Sequence, residues 1–110
     1  MKQLLAFSIL FCTLYSVQAR PPLGTLSKGQ VVGILVDLEL AKAMAYDYNN
    51  DDESADQLFQ GNAQLIYQAY DTEPATFQKS YLYYLGHPKL MQEIYELVIA
   101  RLEELLAQVQ

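Results

Sequence analysis

Cysteine and histidine are almost missing from this sequence, and their scarcity limits the chemistry of the chain. Cys12 is the only cysteine and His87 the only histidine among the 110 residues. The common zinc sites take four ligands drawn mainly from these two residue types, and an intrachain disulfide needs two thiols. Both features are therefore excluded, and we expect no metal and no other cofactor.

Phosphate-binding motifs and an excess of basic residues are missing as well. Neither GxxxxGK[ST] nor GxGxxG occurs, which removes the usual glycine-rich phosphate loops. Lys and Arg number 7 against 13 Asp and Glu, so the formal net charge is −6. Nucleic acids and anionic lipid headgroups bind basic patches, so we expect neither as a partner.

A short apolar run opens the chain. Lys2 precedes the run from Leu4 to Leu14, and Val17-Gln18-Ala19 places small residues where a signal peptidase cleaves. The run is shorter than the roughly 20 residues of a membrane-spanning helix. We therefore predict a signal peptide over residues 1–19 and a protein exported to the periplasm or cell envelope.

Cys12 lies inside this run and leaves a second interpretation open. A lipid on Cys12 would anchor the protein and would be its only contact with the membrane. The bulky Phe11 before it departs from the small residue that a lipoprotein signal uses. Removal of Cys12 with the signal peptide is the alternative.

The remaining chain shows helical spacing of apolar residues and no alternating strand pattern. Two prolines and a glycine make residues 20–26 an extended linker, and residues 27–110 form one domain. We predict an all-α domain of helical hairpins with four helices, over about Lys28–Tyr48, Ala55–Tyr70, Pro74–Leu85 and Pro88–Val109.

Local signals set the predicted ends of these helices. Ser27 with Gln30 and Ser54 with Gln57 have the spacing of capping boxes. Gly86 is expected to end the third helix in the left-handed conformation. In the second helix, Leu58 and Leu65 are expected to point inward, and the Gly61-Asn62 pair favours a kink or break.

The first helix is apolar around most of its circumference. Val32, Val36 and Leu40 widen the apolar face beyond what one neighbour would cover. Such a helix is buried on more than one side, or its extra face meets another protein. These three residues are our candidate interaction surface.

The corner between the third and fourth helices is predicted to be structural. Its residues are Phe77, Ser80, Tyr84, His87, Pro88, Ile94, Tyr95 and Val98. We expect Phe77, Tyr84, Ile94 and Val98 to be buried together. Ser80 is interpreted as a small residue that lets helices approach, and His87 as a helix-boundary residue, because no catalytic partner lies near it in sequence.

Two sets of residues resemble the domain of unknown function family 4296. The first set is Val32, Ile34, Leu35, Asp37, Leu38, Leu40 and Ala41. The second has the spacing Phe77-x-x-Ser80-x-x-Tyr83-Tyr84-x-x-His87-Pro88, followed by Ile94-Tyr95-x-x-Val98. The resemblance implies a small bacterial envelope protein, typically a predicted lipoprotein, and implies no activity or catalytic residue.

Two classes of function remain at this point. The first is a non-enzymatic helical module that has a structural role or binds another envelope protein. The second is a small enzyme or binder that acts on glycans or peptides through a Tyr-lined groove and carboxylates. We favour the first because paired catalytic acids need a fixed separation in a cleft, and the carboxylates lie mainly in loops and on predicted outward faces.

Overall fold

The computed structural model describes residues 21–109, and this range contains four helices and no strand. They are α1 (Lys28–Tyr48), α2 (Asp52–Ala69), α3 (Pro74–Leu85) and α4 (Pro88–Val109). The predicted all-α class is confirmed. The predicted signal peptide and Cys12 lie outside the described residues. Within residues 21–109, no helix has both the length and the apolarity needed to cross a membrane.

Helix α1 is the central element of the domain. It packs against α2 on one side and against α4 on another, while α2 and α4 do not pack against each other within residues 21–109. The shorter α3 contacts all three of the other helices. Helices α2, α1 and α4 therefore form an open layer with α1 in the middle, and α3 covers only part of this layer.

The hydrophobic core lies where α3 closes this layer. Val31 and Ile34 of α1 and Ile94 of α4 are fully buried, and residues from α3 complete the cluster. The buried members of the cluster are Val31, Ile34, Val36, Phe77, Tyr84, Met91, Ile94 and Val98. The core thus joins α1, α3 and α4.

Helix α1 begins with the predicted capping box. The Ser27 hydroxyl accepts a hydrogen bond from the Gln30 backbone N–H at 3.2 Å, and Gln30 Oε1 accepts one from the Ser27 N–H at 3.0 Å. Two backbone N–H groups that the helix leaves unpaired are satisfied reciprocally. This prediction is confirmed.

Helix α2 begins three residues before the predicted start at Ala55. Asp51, not Ser54, is the N-cap, and its Oδ1 accepts a hydrogen bond from the Ser54 N–H at 2.7 Å. Asp52 and Glu53 then occupy the first turn, where negative charge is stabilised by the helix dipole. The predicted Ser54 cap is wrong because a better acceptor lies three residues upstream.

Three further local predictions for these helices are wrong. Helix α2 runs through Gly61-Asn62 without a break, and both Leu58 and Leu65 are exposed. Gly86 is not left-handed: its φ of −74° lies in the right-handed region. Its N–H donates to the Leu82 and Tyr83 carbonyls. A left-handed residue does follow α2, where Asp71 has φ 52°, a conformation that Asp tolerates better than most residues.

Candidate functional site

Two hydroxyl groups on the buried face of α3 hold the segment that precedes α1. Ser80 Oγ accepts a hydrogen bond from the Leu26 N–H at 2.9 Å and donates one to the Thr76 carbonyl at 2.8 Å. The Tyr84 hydroxyl donates to the Leu26 carbonyl at 2.8 Å. Both backbone groups of Leu26 are therefore paired with α3.

Sequence reasoning missed this role of Ser80. The side chain is fully buried, and a buried hydroxyl group almost always has a hydrogen-bond partner. Ser80 and Tyr84 lie four residues apart on the same helix face as Phe77. Two hydroxyl groups on one apolar face were the available signal that this face binds a polar backbone segment. The partner could not be read from the sequence because Leu26 lies 54 residues away.

The other corner residues divide between the core and the surface. Phe77, Ile94 and Val98 are buried in one cluster with Tyr84. His87 and Pro88 are exposed. The His87 ring packs on Tyr83 with its centroid 4.4 Å away, and His87 Nδ1 lies 2.8 Å from the Tyr83 carbonyl.

Tyr95 completes the corner at the surface. Its hydroxyl lies 2.7 Å from the Tyr81 hydroxyl, so a hydrogen bond joins α4 to α3. The bond and burial raise the pKa of Tyr81, the bond being the larger cause. This pair is a contact between two helices.

A groove of about 670 Å³ runs along α1, and we call it the α1 groove. Its floor is formed by α1 and its wall by α4. The lining residues are Gly29, Val32, Gly33, Val36, Asp37, Leu40, Tyr70, Leu97, Ala100, Arg101, Glu104 and Leu105. The structure therefore brings all three residues of the candidate interaction surface into one groove.

The exposure of these three residues differs. Val36 is buried, Val32 is half-buried and Leu40 is 36% exposed. Leu40 lies about 180° around α1 from the buried Val31, at 100° per residue. The α1 groove thus extends from Val36, at the edge of the core, to the face of α1 opposite Val31.

Tyr70 closes one part of the groove, and its position explains why residue 33 of α1 is a glycine. An added Cβ at Gly33 would come within 3.0 Å of two ring carbons of Tyr70. Only glycine lets the ring lie this close to α1. The Tyr70 hydroxyl then donates a hydrogen bond to Asp37 Oδ2 at 3.2 Å, and burial, followed by the charge of Asp37, raises the pKa of Tyr70.

The apolar floor continues beyond the groove toward the end of α1. A depression that shares Asp37 and Leu40 with the groove extends to Met44, and another extends from Met44 to Tyr48. Met44 is 68% exposed and Tyr48 is 89% exposed. Leu65 and Leu58 of α2 line these two depressions. The two leucines that were predicted to be buried therefore belong to the same apolar surface.

Charged groups line the α4 side of the groove. Arg101 Nη1 and Glu104 Oε2 form an ion pair at 3.4 Å, and both side chains are more than half exposed. Surface pairs of this kind contribute about 0–1 kcal/mol to stability. Within residues 21–109, no group of three His, Cys, Asp or Glu side chains could hold a metal ion.

These features define an all-α domain in which a central helix keeps one long apolar face open between two neighbours. Residues 22–108 match the family described as Domain of unknown function (DUF4296), and the chain belongs to this family. The resemblance seen in the two sets of sequence motifs is confirmed. Searches of curated proteins and of solved structures found no match to the chain.

Proposed function

We propose that this protein is a non-enzymatic, exported module that binds a helix of another envelope protein in the α1 groove. The supporting observation is the open face of α1. Helices α2 and α4 flank α1 without packing on each other, and the apolar residues between them line a groove. Contiguous apolar surfaces that a domain leaves open mark interaction sites.

The shape of the surface favours a helix as its occupant. Val32, Val36, Leu40 and Met44 follow each other at intervals of four residues along α1, which is one ridge of a helix surface. The ridge spans 12 residues, about 18 Å at 1.5 Å per residue. A helix laid beside this ridge would contact α1 together with α2 or α4, as amphipathic helices do in apolar grooves.

The N-terminal sequence supports the proposed export. The basic start, the short apolar run and the small residues before position 20 together favour secretion. The partner would then be another protein of the periplasm or cell envelope. No nucleic acid or small-molecule cofactor is part of the proposal.

One observation favours the alternative of a glycan- or peptide-acting protein. The α1 groove contains two carboxylates, Asp37 and Glu104, together with Tyr70. Glycoside hydrolysis uses a pair of carboxylates, one of which is held protonated by burial. Glu104 is instead more than half exposed and paired with Arg101, and Tyr70 is the only tyrosine of the groove. Binding without catalysis therefore agrees better with the geometry.

Site-specific photo-crosslinking tests the proposed function. A photoreactive amino acid at Leu40, in the groove, should give an adduct with a defined envelope protein in intact cells. The matched control is Leu82 on α3, which is 59% exposed and lies outside the groove. Adduct formation at Leu40 should be lost when Leu97→Glu places a charge in the groove wall.

Two results would contradict this proposal. Equal adducts at Leu40 and Leu82 would show that the groove is not selective. Glycan or peptide hydrolysis by the purified protein that disappears in Asp37→Asn and Glu104→Gln would establish the enzymatic alternative.

A further inference from the structure

The second half of α4 carries apolar side chains on a face that the domain leaves exposed. Ile99 is 54% exposed, Leu106 is 61% exposed, Val109 is exposed and Leu102 is half-buried. We call these four residues the α4 stripe. They differ from the buried seam of α4, formed by Met91, Ile94 and Val98.

The α4 stripe has the spacing of a helix-pairing seam. Ile99, Leu102, Leu106 and Val109 are separated by three, four and three residues, the alternation of the apolar positions in a heptad repeat. Tyr95 continues the series upstream by four residues, and its hydroxyl contacts Tyr81 of α3. The stripe is thus a continuation of the contact that α3 makes with α4.

The stripe is separate from the α1 groove. The groove uses Leu97, Arg101 and Glu104 of α4. At 100° per residue these three positions lie on the other side of the buried seam from Ile99 and Leu106. An occupant of the α4 stripe would therefore not depend on the proposed function of the groove.

We propose that the α4 stripe docks a helix of a second protein whose apolar seam is flanked by Lys or Arg. The argument rests on the charges beside the stripe. Glu96 and Glu103 directly follow Tyr95 and Leu102, so they stand on the outer flank of the seam. Opposite charges at these flanking positions set partner choice in paired helices.

A second copy of this chain fits the stripe poorly. In an antiparallel pair of α4 helices, the acidic flank of one copy would face the acidic flank of the other, and like charges would repel. In a parallel pair, the acidic flank would face Val98 and Leu105, which already pack within their own domain. A basic partner helix avoids both problems.

The length of the stripe indicates a docking interaction of moderate strength. From Tyr95 to Val109 the seam spans 14 residues, about 21 Å, which is two heptads. An isolated pair of helices this short is marginal in water. Here α4 is already ordered by its core contacts, so only the partner helix has to fold on binding.

Designed peptides of three heptads, with Ile and Leu in the seam and either Lys or Glu in all flanking positions, test the proposal. Their binding to the full-length gene product, purified in the form that the cell makes, is measured by fluorescence anisotropy. The Lys-flanked peptide should bind at least about tenfold more tightly than the Glu-flanked peptide, corresponding to about 1.4 kcal/mol. Leu106→Glu should weaken this binding at least tenfold.

Matched variants separate the stripe from general attraction to an acidic protein. Ala107→Glu adds the same charge at the neighbouring exposed position of α4 and should leave binding unchanged. The double variant Glu96→Lys with Glu103→Lys should reverse the preference between the two peptides. Unchanged circular dichroism confirms that each variant is folded.

Three outcomes would overturn the proposal. The first is equal binding of the Lys- and Glu-flanked peptides. The second is an equal loss of binding in Leu106→Glu and Ala107→Glu, since it would show that overall charge alone controls the interaction. The third is dimerisation of the protein in sedimentation experiments that Leu106→Glu abolishes, because a second copy would then occupy the stripe.

Discussion

At the scale of single residues, a few small or hydroxyl-bearing side chains position whole segments. Ser80 and Tyr84 pair both backbone groups of Leu26, which fixes where the N-terminal segment enters the domain. Gly33 allows the Tyr70 ring to lie against α1, where its hydroxyl reaches Asp37. Each of these residues acts through a neighbour that lies far from it in sequence.

Gly33→Ala should lower the free energy of unfolding although alanine is the better helix former. The added Cβ would meet the Tyr70 ring and force it off α1. We expect a loss of about 1–3 kcal/mol, the usual result of overpacking, measured by urea denaturation.

Gly61→Ala is the matched control for this effect. Gly61 is also within a helix, and an added Cβ there would meet nothing within 4 Å. Helix propensity alone then applies, and Gly61→Ala should raise the free energy of unfolding by up to about 1 kcal/mol. A gain of stability from both substitutions would show that Tyr70 does not pack tightly on α1.

At the scale of helices, the ends are set by short-range hydrogen bonds, and the better acceptor decides between rival caps. Ser27 with Gln30 has no rival and forms the predicted capping box. Before α2, Ser54 has the spacing of a cap but lies inside the helix, because the Asp51 carboxylate accepts its N–H. Helix α3 follows Glu73 and has Pro74 in its first turn without any side-chain cap.

The substitution of Asp51 by alanine should destabilise the start of α2, whereas Ser54→Ala should have little effect. The Asp51 carboxylate accepts a hydrogen bond from a helical N–H that would otherwise be unpaired, whereas the Ser54 side chain is not the cap of this helix. Amide hydrogen exchange at residues 54 and 55 reports the change directly. Faster exchange in Ser54→Ala than in Asp51→Ala would contradict this assignment.

At the scale of the whole molecule, titratable groups limit stability at both ends of the pH range. The hydrogen bond and charge of Lys28, whose Nζ lies 2.9 Å from Glu93 Oε2, hold the pKa of Glu93 below its ordinary 4.5. The Ser54 backbone N–H likewise lowers the pKa of Asp51 from 3.8. Burial raises the pKa of Tyr84 above 10.0.

These directions predict a stability plateau between acid and alkaline losses. The stability from Glu93 and Asp51 is present above their unfolded pKa values and is lost as the pH falls through their lower folded values. The stability from Tyr84 is present below pH 10 and is lost as the pH rises through its raised folded pKa, because the phenolate no longer donates to Leu26.

Thermal unfolding as a function of pH checks both losses. Glu93→Gln should reduce the acid loss, and Tyr84→Phe should reduce the alkaline loss. Glu39→Gln on the exposed side of α1 is the control and should leave the profile unchanged. An acid loss of the same size in Glu93→Gln would show that the Lys28–Glu93 pair does not contribute to it.

The overall arrangement of helices accounts for both proposed surfaces. Helices α2 and α4 lie beside α1 without meeting each other, so one face of α1 stays open along the α1 groove. The second half of α4 extends beyond its buried residues, which end at Val98, and leaves the α4 stripe exposed.

The sequence by itself determined the helices, since periodicity and capping act over three to seven residues. The bounds of α1, α3 and α4 follow from such local signals, and so does the apolar circumference of α1 that pointed to Val32, Val36 and Leu40. The burial of Phe77, Tyr84, Ile94 and Val98 was predictable for the same reason, because helical spacing places them on continuous faces.

Tertiary structure alone decided which apolar faces are covered. Leu58 and Leu65 satisfy the spacing of a buried face, yet they are exposed because α2 has α1 as a neighbour on one side only. The hydrogen bonds of Leu26 to Ser80 and Tyr84 join residues more than 50 positions apart. Local spacing specifies that a helix has an apolar face, but the docking of distant helices determines whether that face meets the core or remains open to a partner.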